Sequence, residues 1–424
     1  MEFEAFTASA LADYLGGIAD VRARLFEDDA PADLDIAEVG DGNLNYVYIV
    51  TNAKAREHSV VVKQAPPFLR LVGKNWPLSC QRMDHEVAAL RRFGALCPQH
   101  VPCVYHADEK RFLVVMQHLA SHRILRQGLM DGVSYPLFAQ HMANYLAHTL
   151  FHGSDLFLAP DIKKQAMSAS VNIELCRITE DLVFTFPYED HSSNVYSAAL
   201  PASAIARLRS YEPLRCAAAD MKWAFMNHAE TLLHGDLHTG SIMVNARETY
   251  VIDPEFAFYG PMGFDIGALI ANLLLAYFSR DYHGRVDGGD PRAYQEWLLE
   301  QAVTIWNGFS ATFLTLWREH ESRSGKRFIG TAETRVGEAY RAHFMRRLLA
   351  DTLGFAGCKM IRRIVGMAKV AEITRIPDAQ LRAQIEVRCL RCAEALLVQR
   401  AALTDIEQVT LLARETLLDK SSFS

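Results

Sequence analysis

The stretch from Leu233 to Phe256, LHGDLHTGSIMVNARETYVIDPEF, constrains the fold more than any other part of the chain. It begins with the triplet HGD and ends with the triplet DPE, which follows the apolar run YVI. Asp236 and Asp253 can be held side by side by the strand pair that separates them. Two carboxylates kept apart in this way can do different work, because one can accept a hydroxyl proton while the other neutralises phosphate charge through a metal ion. The alternative is that these acids only cap turns and face solvent.

The overall composition excludes several classes of protein. With 424 residues the chain is too long for one compact core, which predicts two lobes. A formal net charge of -6 without a basic run argues against a nucleic-acid partner. No signal peptide is evident, and the longest apolar run, 266–278, is too short to span a membrane. We therefore expect a cytoplasmic protein without a membrane partner, whose one C-x-x-C pair, Cys389 and Cys392, holds reduced structural thiols.

The order of strand and helix patterns predicts an α+β fold. Strand-like runs lie at 36–50 (on both sides of a Gly- and Asn-rich turn), 59–63 and 112–116. A helix with Met83, Val87 and Leu90 at helical spacing lies among them. Beyond these runs the chain is mostly helical, apart from a short strand pair near 241–252. We predict a small β-rich N-terminal lobe, 1–117, and a large helical C-terminal lobe, 118–424.

Residues of the N-terminal lobe have the pattern of a phosphate-binding region. Gly40 and Gly42 lie in the turn between the first two strand-like runs, and glycines let backbone amides approach phosphate oxygens closely. A plain hairpin turn would use the same residues. Lys63 ends the next strand-like run, and Glu86 on the following helix is the candidate acid that would orient it. The alternatives are a commonplace lysine at a strand end and a solvated glutamate.

The HGDLH motif resembles the catalytic loop of the protein-kinase-like superfamily, on the side of the aminoglycoside and choline kinases. Where that superfamily has a metal-binding Asn, this chain has Ser241, and a hydroxyl is a poorer ligand for a hard cation. We infer that Glu255 supplies the second carboxylate beside Asp253. The combination of Ser241 and Glu255 resembles the methylthioribose kinase family in particular. So do the strings HGDLHTGSI and VIDPEFAFYGPMGFDIGALIANLLL.

The resemblance implies an enzyme with the protein-kinase-like two-lobe fold that transfers a phosphoryl group from ATP to a small sugar. Asp236 would accept the proton of the sugar hydroxyl, and Asp253 and Glu255 would hold Mg²⁺. In the family that hydroxyl is the anomeric one of S-methyl-5-thioribose, and the product enters methionine salvage. The family also implies a possible homodimer.

The same resemblance identifies the nucleotide-binding residues. They are expected to be Gly40, Gly42, Asn45, Lys63, Glu86, Gln117, His118, Leu119, Asp253, Pro254 and Glu255. Among them, Gln117, His118 and Leu119 follow a strand-like run where kinases place the hinge that binds adenine through backbone groups. Asn45 occupies a position that contacts the nucleotide in the family.

Four further residues bear on the substrate and the catalytic loop. Trp76 resembles the family's tryptophan loop near the active site, although a loop tryptophan can equally pack on its own lobe. Arg362 and Arg363 lie in a stretch that contacts the sugar in members of the family, although an adjacent basic pair on a helix is usually solvated. Their side chains diverge by about 100°, so both need not face the sugar. Asp265 is expected to brace the catalytic loop or to cap the helix that follows it.

Two rival readings remain open from the sequence. One is a kinase of the same fold for another small alcohol, such as an aminoglycoside, choline or homoserine. Cationic substrates call for an acidic pocket, which the arginine pair does not favour. The other is a nucleotide-binding scaffold without activity, although Lys63, Asp236 and Asp253 are all present.

Overall fold

The computed structural model describes residues 3, 5–26, 33–39, 44–70, 73–286, 288, 290–330 and 334–419. This part of the chain divides into two compact units. Unit 1 contains the described residues up to His122 together with Asn172–Leu175 and Tyr250–Ala257, and unit 2 contains the others. The predicted lobe boundary after residue 117 stays a prediction.

Unit 1 is built on one antiparallel sheet. Its regular elements are α1 (Ala8–Gly16), α2 (Ala19–Leu25), β1 (Leu34–Glu38), β2 (Tyr46–Asn52), β3 (Ser59–Gln64), α3 (Arg82–Leu96), β4 (Val104–Asp108) and β5 (Leu113–Gln117). The five strands are ordered β1-β2-β3-β5-β4, and every neighbouring pair is antiparallel. The strands and the helix predicted in this region are present, whereas α1, α2 and β4 were not predicted.

The two faces of β3 have different roles. Val60 and Val62 are fully buried in a cluster that also contains Leu11 and Leu15 of α1. Because side chains alternate along a strand, Lys63 points to the opposite face of the sheet. The packing of the β-branched residues on α1 therefore fixes the face on which the lysine is presented.

Unit 2 is predominantly helical. Its elements are β6 (Arg123–Ile124), α4 (Leu125–Met130), α5 (Phe138–His152), α6 (Pro160–Ala169), α7 (Ile173–Phe184), α8 (Ala202–Ser210), α9 (Glu212–Asn227), β7 (Thr231–Leu233), β8 (Ile242–Val244), β9 (Thr249–Val251), β10 (Phe258–Gly260), α10 (Gly263–Val286), α11 (Pro291–Ser324), α12 (Thr334–Val365), α13 (Ala371–Thr374), α14 (Ala379–Val398) and α15 (Ile406–Leu418). The start of α7 and the end of β9 group with unit 1. Two short antiparallel pairs, β7 with β10 and β6 with β8, lie among the helices. The α+β prediction is confirmed.

Close helix contacts fix the position of α12 within unit 2. A Cβ atom on Gly267 of α10 would lie 2.5 Å from the carbonyl oxygen of Thr352 on α12. A Cβ atom on Gly357 of α12 would lie 2.6 Å from the carbonyl oxygen of Ala393 on α14. Glycine at both positions therefore allows α12 to pack closely on helices α10 and α14, and the C-terminal end of α12 is held firmly.

No helix in the described ranges is long and apolar enough to cross a membrane.

All eight cysteines are free thiols. Cys389 and Cys392 are buried side by side on α14, where the pair packs as small apolar residues.

Candidate active site

In unit 1, the side chain of Lys63 contacts Glu86 and Asp253, two acids that were predicted from the sequence to belong to the site. Its Nζ atom lies 2.8 Å from Oε1 of Glu86 and also contacts Oδ1 of Asp253. Both Lys63 and Glu86 are buried, whereas the side chain of Asp253 is 46% exposed. The ion pair expected between Lys63 and Glu86 is therefore present, and the carboxylate of Asp253 remains accessible.

The charges of this cluster follow from burial and from the neighbouring groups. Burial by itself would lower the pKa of Lys63, but the carboxylates of Asp253 and Glu86 raise that pKa above its usual value. Lys63 therefore stays protonated. Burial raises the pKa of Glu86, which Lys63 opposes. The arrangement keeps a fixed positive charge beside an exposed carboxylate, so it offers a cation to anionic oxygens and an oxygen ligand to a hard metal ion.

Asp253 and Glu255 lie on one short loop, whose backbone leaves the carboxylate of Asp253 exposed and that of Glu255 buried. Asp253 follows β9 and has a left-handed conformation with φ 64° and ψ 46°. The chain then forms a 3₁₀ helix, Pro254–Phe256, which turns Glu255 to the buried side of the loop. The side chain of Asn172 donates to the carbonyl oxygen of Glu255 at 2.8 Å and to that of Ala257 at 3.2 Å. A non-glycine residue with positive φ is uncommon outside functional loops.

Glu255 is held in place by a buried polar network. Nδ2 of Asn45 donates to Oε2 of Glu255 at 2.7 Å, and Oδ1 of Asn45 accepts from Nε of Arg82 at 3.0 Å. The guanidinium nitrogen of Arg82 lies 3.8 Å from the same glutamate oxygen. Arg82 also donates to three backbone carbonyl oxygens, those of Leu44, Pro66 and Ser79. The side chain of Asn45, expected to contact the nucleotide, is thus engaged with Glu255.

We expect Arg82→Met to destabilise the protein, because the change removes the buried cation 3.8 Å from Glu255 and the donor to the Asn45 side chain and to three backbone carbonyl oxygens. The free energy of unfolding should fall by about 3 kcal/mol, the cost of breaking a buried ion pair by removing one partner. Urea denaturation followed by circular dichroism measures it. Arg91→Met, an exposed position on the same helix, is the matched control. Equal losses in the two variants would contradict the role of Arg82.

The other residues predicted to bind nucleotide lie around the sheet of unit 1. Gln117 ends β5, and its backbone N–H donates to the carbonyl oxygen of Cys103 at 2.9 Å. The ring of His118 is hydrogen-bonded to the hydroxyl of Ser59 at 2.8 Å, and Leu119 is buried. Gly40 and Gly42 lie outside the described residues.

Trp76 lies in the loop between β3 and α3. Its backbone N–H donates to the carbonyl oxygen of Gly73 at 3.1 Å, and its carbonyl oxygen accepts from the N–H of Leu69 at 2.8 Å. These bonds close a turn that fixes the backbone of Trp76. The indole is half-buried, and its role in substrate binding stays a prediction.

In unit 2, the loop that carries Asp236 is anchored by Asp265. The carboxylate of Asp265, in the first turn of α10, accepts from the backbone N–H of His234 at 2.7 Å and from that of Gly235 at 3.0 Å. Gly235 has φ 85°, a conformation that favours glycine. Asp265 therefore braces the loop that carries Asp236, one of the two roles that the sequence suggested for it.

Asp236 is surrounded by cationic and hydrogen-bonding groups. Nζ of Lys359 lies 2.9 Å from its Oδ1 atom, Nε2 of His238 lies 3.3 Å from its Oδ2 atom, and Nη2 of Arg363 lies 3.7 Å from Oδ1. Burial by itself would raise the pKa of Asp236, but Lys359, His238 and Arg363 together lower that pKa well below its usual range. Asp236 is therefore ionised at neutral pH.

The tautomer of His238 follows from its hydrogen bonds. The backbone N–H of Gly240 donates to Nδ1 at 3.0 Å, so the proton resides on Nε2, which faces Asp236. Burial lowers the pKa of His238 to about 4, and the ring is neutral. The hydroxyl of Ser241 lies 3.2 Å from the carbonyl oxygen of Asp236 and 3.1 Å from Nδ1 of His238. Ser241 thus stabilises the loop that carries Asp236.

The two arginines on α12 have different surroundings. Arg363 is buried and faces Asp236, whereas Arg362 is half-buried. Within the described part of the chain, Nε and Nη1 of Arg362 and Nε of Arg363 are buried without a hydrogen-bond partner. Buried guanidinium nitrogens are normally paired, so these atoms point to a ligand that supplies oxygen acceptors.

Three residues of the site were not predicted from the sequence. They are Lys359, His238 and Arg82. A signal was available for Lys359, because it lies four positions before Arg363 and therefore on the same face of α12. His238 lies two positions after Asp236 in the same loop. Nothing in the local pattern of α3 distinguishes Arg82 from the solvated arginines of that helix.

Comparisons with known proteins give one consistent family. The model of the phosphotransferase enzyme family matches residues 35–302. Methylthioribose kinase 2 of Oryza sativa subsp. japonica is 44% identical over 94% of this chain and 91% of its own length. Methylthioribose kinases of Geobacillus sp. (39% identical, 94% of this chain and 94% of the relative) and Cronobacter sakazakii (40% identical, 93% of both) are similar over nearly their whole lengths.

These relatives confirm the family that was predicted from the HGDLH loop and from the exchange of Ser241 and Glu255. The match extends over almost the whole chain, so it includes both groups of residues described above. The chain therefore belongs to the phosphotransferase enzyme family and, within it, to the methylthioribose kinases, which are ATP-dependent small-molecule kinases.

Proposed function

We propose that this protein phosphorylates the anomeric hydroxyl of S-methyl-5-thioribose with ATP, giving the 1-phosphate that enters methionine salvage. The substrate is taken from the relatives, which are named methylthioribose kinases. The observation that carries the reaction is the half-buried, ionised Asp236, whose loop is anchored and whose carboxylate is contacted by defined donors.

The acceptor step uses Asp236 as the base. A new bond forms between the sugar oxygen and the γ-phosphorus of ATP, the bond between that phosphorus and the β–γ bridging oxygen breaks, and ADP leaves. The hydroxyl proton passes to Asp236 and then to solvent. Because the pKa of Asp236 is low, its main contribution is to orient the hydroxyl and to accept the proton late in the transfer.

The nucleotide is bound by residues of unit 1. Lys63, held protonated by its two acids, binds phosphate oxygens. Gly40, Gly42 and Asn45 belong to the loop that covers the phosphates. Gln117, His118 and Leu119 offer backbone groups to the adenine.

Asp253, Glu255 and the loop that carries them suit Mg²⁺. They offer two carboxylates, the kind of donor that this hard cation prefers, and Asp253 is accessible. Within the described residues no group of three or more acids, histidines or cysteines could hold a metal ion. Two carboxylates are sufficient for magnesium in phosphotransferases, because this ion takes one or two carboxylates from the protein and completes its shell with phosphate oxygens and water. When bound, the ion neutralises charge on the phosphates.

Arg362 and Arg363 bind the sugar and the transferring phosphoryl group. Their buried, unpaired nitrogens are donors for hydroxyl and phosphoryl oxygens. Trp76 is assigned to the same substrate by family resemblance.

The homodimer and the cytoplasmic location that the sequence suggested also belong to this proposal, and light scattering of the purified protein tests the dimer.

We expect Arg362→Ala and Arg363→Ala each to lower kcat/KM for the sugar by about tenfold or more, with the Kd for ATP nearly unchanged. A hydrogen bond to a charged group contributes roughly 1.5–3 kcal/mol, and 1.4 kcal/mol corresponds to a tenfold change. Steady-state kinetics and calorimetric ATP titration measure the two quantities. Arg346→Ala, an exposed position on the same helix, is the control. Sugar kinetics that are unchanged in both variants would remove the pair from the substrate site.

The experiment that tests the proposed function is a coupled assay for ADP release across ribose analogues and amino alcohols. Methylthioribose should give the highest kcat/KM, and ADP should not accumulate without an acceptor. A preference for choline, homoserine or an aminoglycoside would show that the proposed sugar is wrong, while phosphoryl transfer from ATP to a small alcohol would still be supported. An absence of turnover with every acceptor would overturn the reaction.

A further inference from the structure

Lys359 is a buried lysine beside Asp236 that has no role in the acceptor step itself. It lies on α12 and is only 3% exposed, and its Nζ atom is 2.9 Å from Oδ1 of Asp236. The same ammonium group lies 4.2 Å from the centre of the Phe264 ring, on α10. A lysine is rarely buried unless its charge is paired, and here the partner is the base itself.

We propose that Lys359 is a positioning residue that holds the carboxylate of Asp236 in one orientation and keeps it negatively charged for the acceptor step. The inference rests on the proposed function, because it assigns Lys359 to the same reaction. Lys359 acts through Asp236, and the proposal requires no contact between Lys359 and the sugar.

The geometry of the carboxylate supports this role. Lys359 binds Oδ1, while the Nε2–H group of His238 faces Oδ2 at 3.3 Å. One contact on each oxygen fixes the rotation of the carboxylate about its Cβ–Cγ bond. Each carboxylate oxygen has two lone pairs, so both oxygens retain capacity to accept the hydroxyl proton. Without Lys359 the carboxylate would keep only the neutral ring of His238 near Oδ2 and the more distant Arg363, 3.7 Å from Oδ1, so its rotation would be less restricted.

The backbone that carries Lys359 is itself held firmly. Gly357 lies two residues earlier, at the close contact with α14, and Gly267 forms the close contact with α10. Both contacts leave no room for a Cβ atom, so the backbone of α12 packs directly against those of α10 and α14. The ammonium group therefore has a fixed anchor, as positioning of a reactive group to within a fraction of an ångström requires.

The charges around Asp236 set the direction of the expected pH effects. The groups that face it or its cationic neighbours are Lys359, Arg362 and Arg363 of α12, His238 and His234 of the catalytic loop, Arg126 of α4, Asp265 of α10 and Glu372 of α13. Burial, aided by Arg362 and Arg363, lowers the pKa of Lys359 to about 8, although Asp236 opposes the shift. The lysine is thus mostly protonated at neutral pH and loses its charge in mildly alkaline solution.

A purely structural role for Lys359, in which Asp236 only neutralises its buried charge, predicts a loss of stability alone. A positioning role predicts in addition a change in the pH dependence of catalysis. Activity requires ionised Asp236, and an opposite charge within a few ångströms lowers a carboxyl pKa by about 1–3 units. Removal of the lysine should raise the pKa of Asp236 by a comparable amount, so activity should be lost at a higher pH as the solution is acidified.

The test is Lys359→Met, assayed by ADP release with methylthioribose from pH 10 down to the lowest pH at which both proteins stay folded, because the acid limb of the parent lies below the usual range of an aspartate. The acid limb of kcat/KM should move up by about 1–3 pH units, and kcat at pH 7 should fall by about tenfold or more with a smaller change in KM. Lys164→Met, an exposed lysine in unit 2, is the matched control. A profile in Lys359→Met that coincides with the parent profile overturns the proposal.

Two further variants keep the test decisive if Lys359→Met fails to fold. Lys359→Arg retains a cation that stays charged at higher pH, so the alkaline limb near pH 8 should move upward. An unchanged alkaline limb would contradict the proposal. In the Asp236→Asn background, Lys359→Met should have less than about a twofold further effect on kcat, because the two residues act as a unit. Additive losses would show that Lys359 acts independently of Asp236.

A readout without substrate separates this inference from the proposed function. Isotope-edited infrared spectroscopy of the resting enzyme detects protonated Asp236, with Asp236→Asn identifying the band. The band should appear at higher pH in Lys359→Met than in the parent. If the parent does not phosphorylate methylthioribose, the proposed function fails, and the infrared titration still decides whether Lys359 controls Asp236. The same titration curve in both proteins overturns the inference.

Discussion

Asp236→Asn should lower kcat for sugar phosphorylation by about 10²–10⁴, the usual contribution of a positioned general base. The amide keeps the size of the side chain but cannot accept the hydroxyl proton. The Kd for ATP should change little, because the nucleotide is assigned to Lys63, Asp253 and Glu255 of unit 1. Single-turnover kinetics at saturating ATP measure the chemical step, and calorimetry measures the affinity.

The structure adds a second consequence for this variant. Asn at position 236 leaves the buried ammonium of Lys359 without its counter-charge, and an unpaired buried charge costs about 3–5 kcal/mol. Thermal unfolding should therefore be recorded for Asp236→Asn and for the Asp236→Asn/Lys359→Met pair, which removes both charges. Asp190→Asn, at a 91% exposed side chain in unit 2, is the control for a carboxylate in a surface ion pair. A turnover in Asp236→Asn within tenfold of the parent would remove Asp236 from the role of base.

The site residues predicted from the sequence lie mostly in short loops next to strands, and the catalytic and metal-binding roles of Asp236 and Asp253 stay predictions. Asp236 and Asp253 follow such strands, and their spacing within one segment restricts where they can lie. The pairing of Lys63 with Glu86 could be predicted because the strand and helix that carry them are consecutive. Local order along the chain was sufficient for these positions.

The residues that the sequence did not identify depend on contacts between distant segments. Lys359 meets Asp236 across 123 positions. The contact between Asn45 and Glu255, two residues that were predicted separately, spans 210 positions and was not predicted either. Arg82 has the pattern of a solvated helix residue, and its burial depends on loops that close over α3. Periodicity indicates which face of a helix is apolar, but it does not indicate that an arginine on the other face will be buried by another segment.

The unpredicted elements of unit 1 have a similar cause. The strand β4 lies at the edge of the sheet and has one neighbour, so every one of its residues is half-buried and no alternation of apolar and polar residues arises. The helix α1 buries only Leu11 and Leu15, a pair too short to give a clear helical period. In both cases the tertiary packing, and not the local pattern, decides the structure.

Asp253→Asn is expected to have the second large effect, a fall in kcat of about 10²–10³ together with a higher Mg²⁺ requirement. Stabilisation of transferring phosphoryl charge by a metal ion is worth several kcal/mol, and each 1.36 kcal/mol is tenfold in rate. The carboxylate of Asp253 is accessible, in contrast to Glu255, which is buried and bonded to Asn45. Glu255→Gln should therefore also raise the Mg²⁺ requirement, but with a smaller loss of kcat. Initial rates over a Mg²⁺ titration measure both effects.

A readout besides activity is needed, because Asp253 also contacts Lys63 and its loss could disturb the lysine. Mn²⁺ binding in the presence of a non-hydrolysable ATP analogue, followed by electron paramagnetic resonance, reports the metal site directly. Binding should weaken by about tenfold or more in Asp253→Asn, since a neutral amide replaces a carboxylate ligand of a divalent cation. Asp35→Asn, an exposed acid in the same unit, should bind Mn²⁺ as the parent does. If Asp253→Asn also binds Mn²⁺ like the parent but turns over slowly, the aspartate acts by holding Lys63, and the metal would have to be assigned to Glu255.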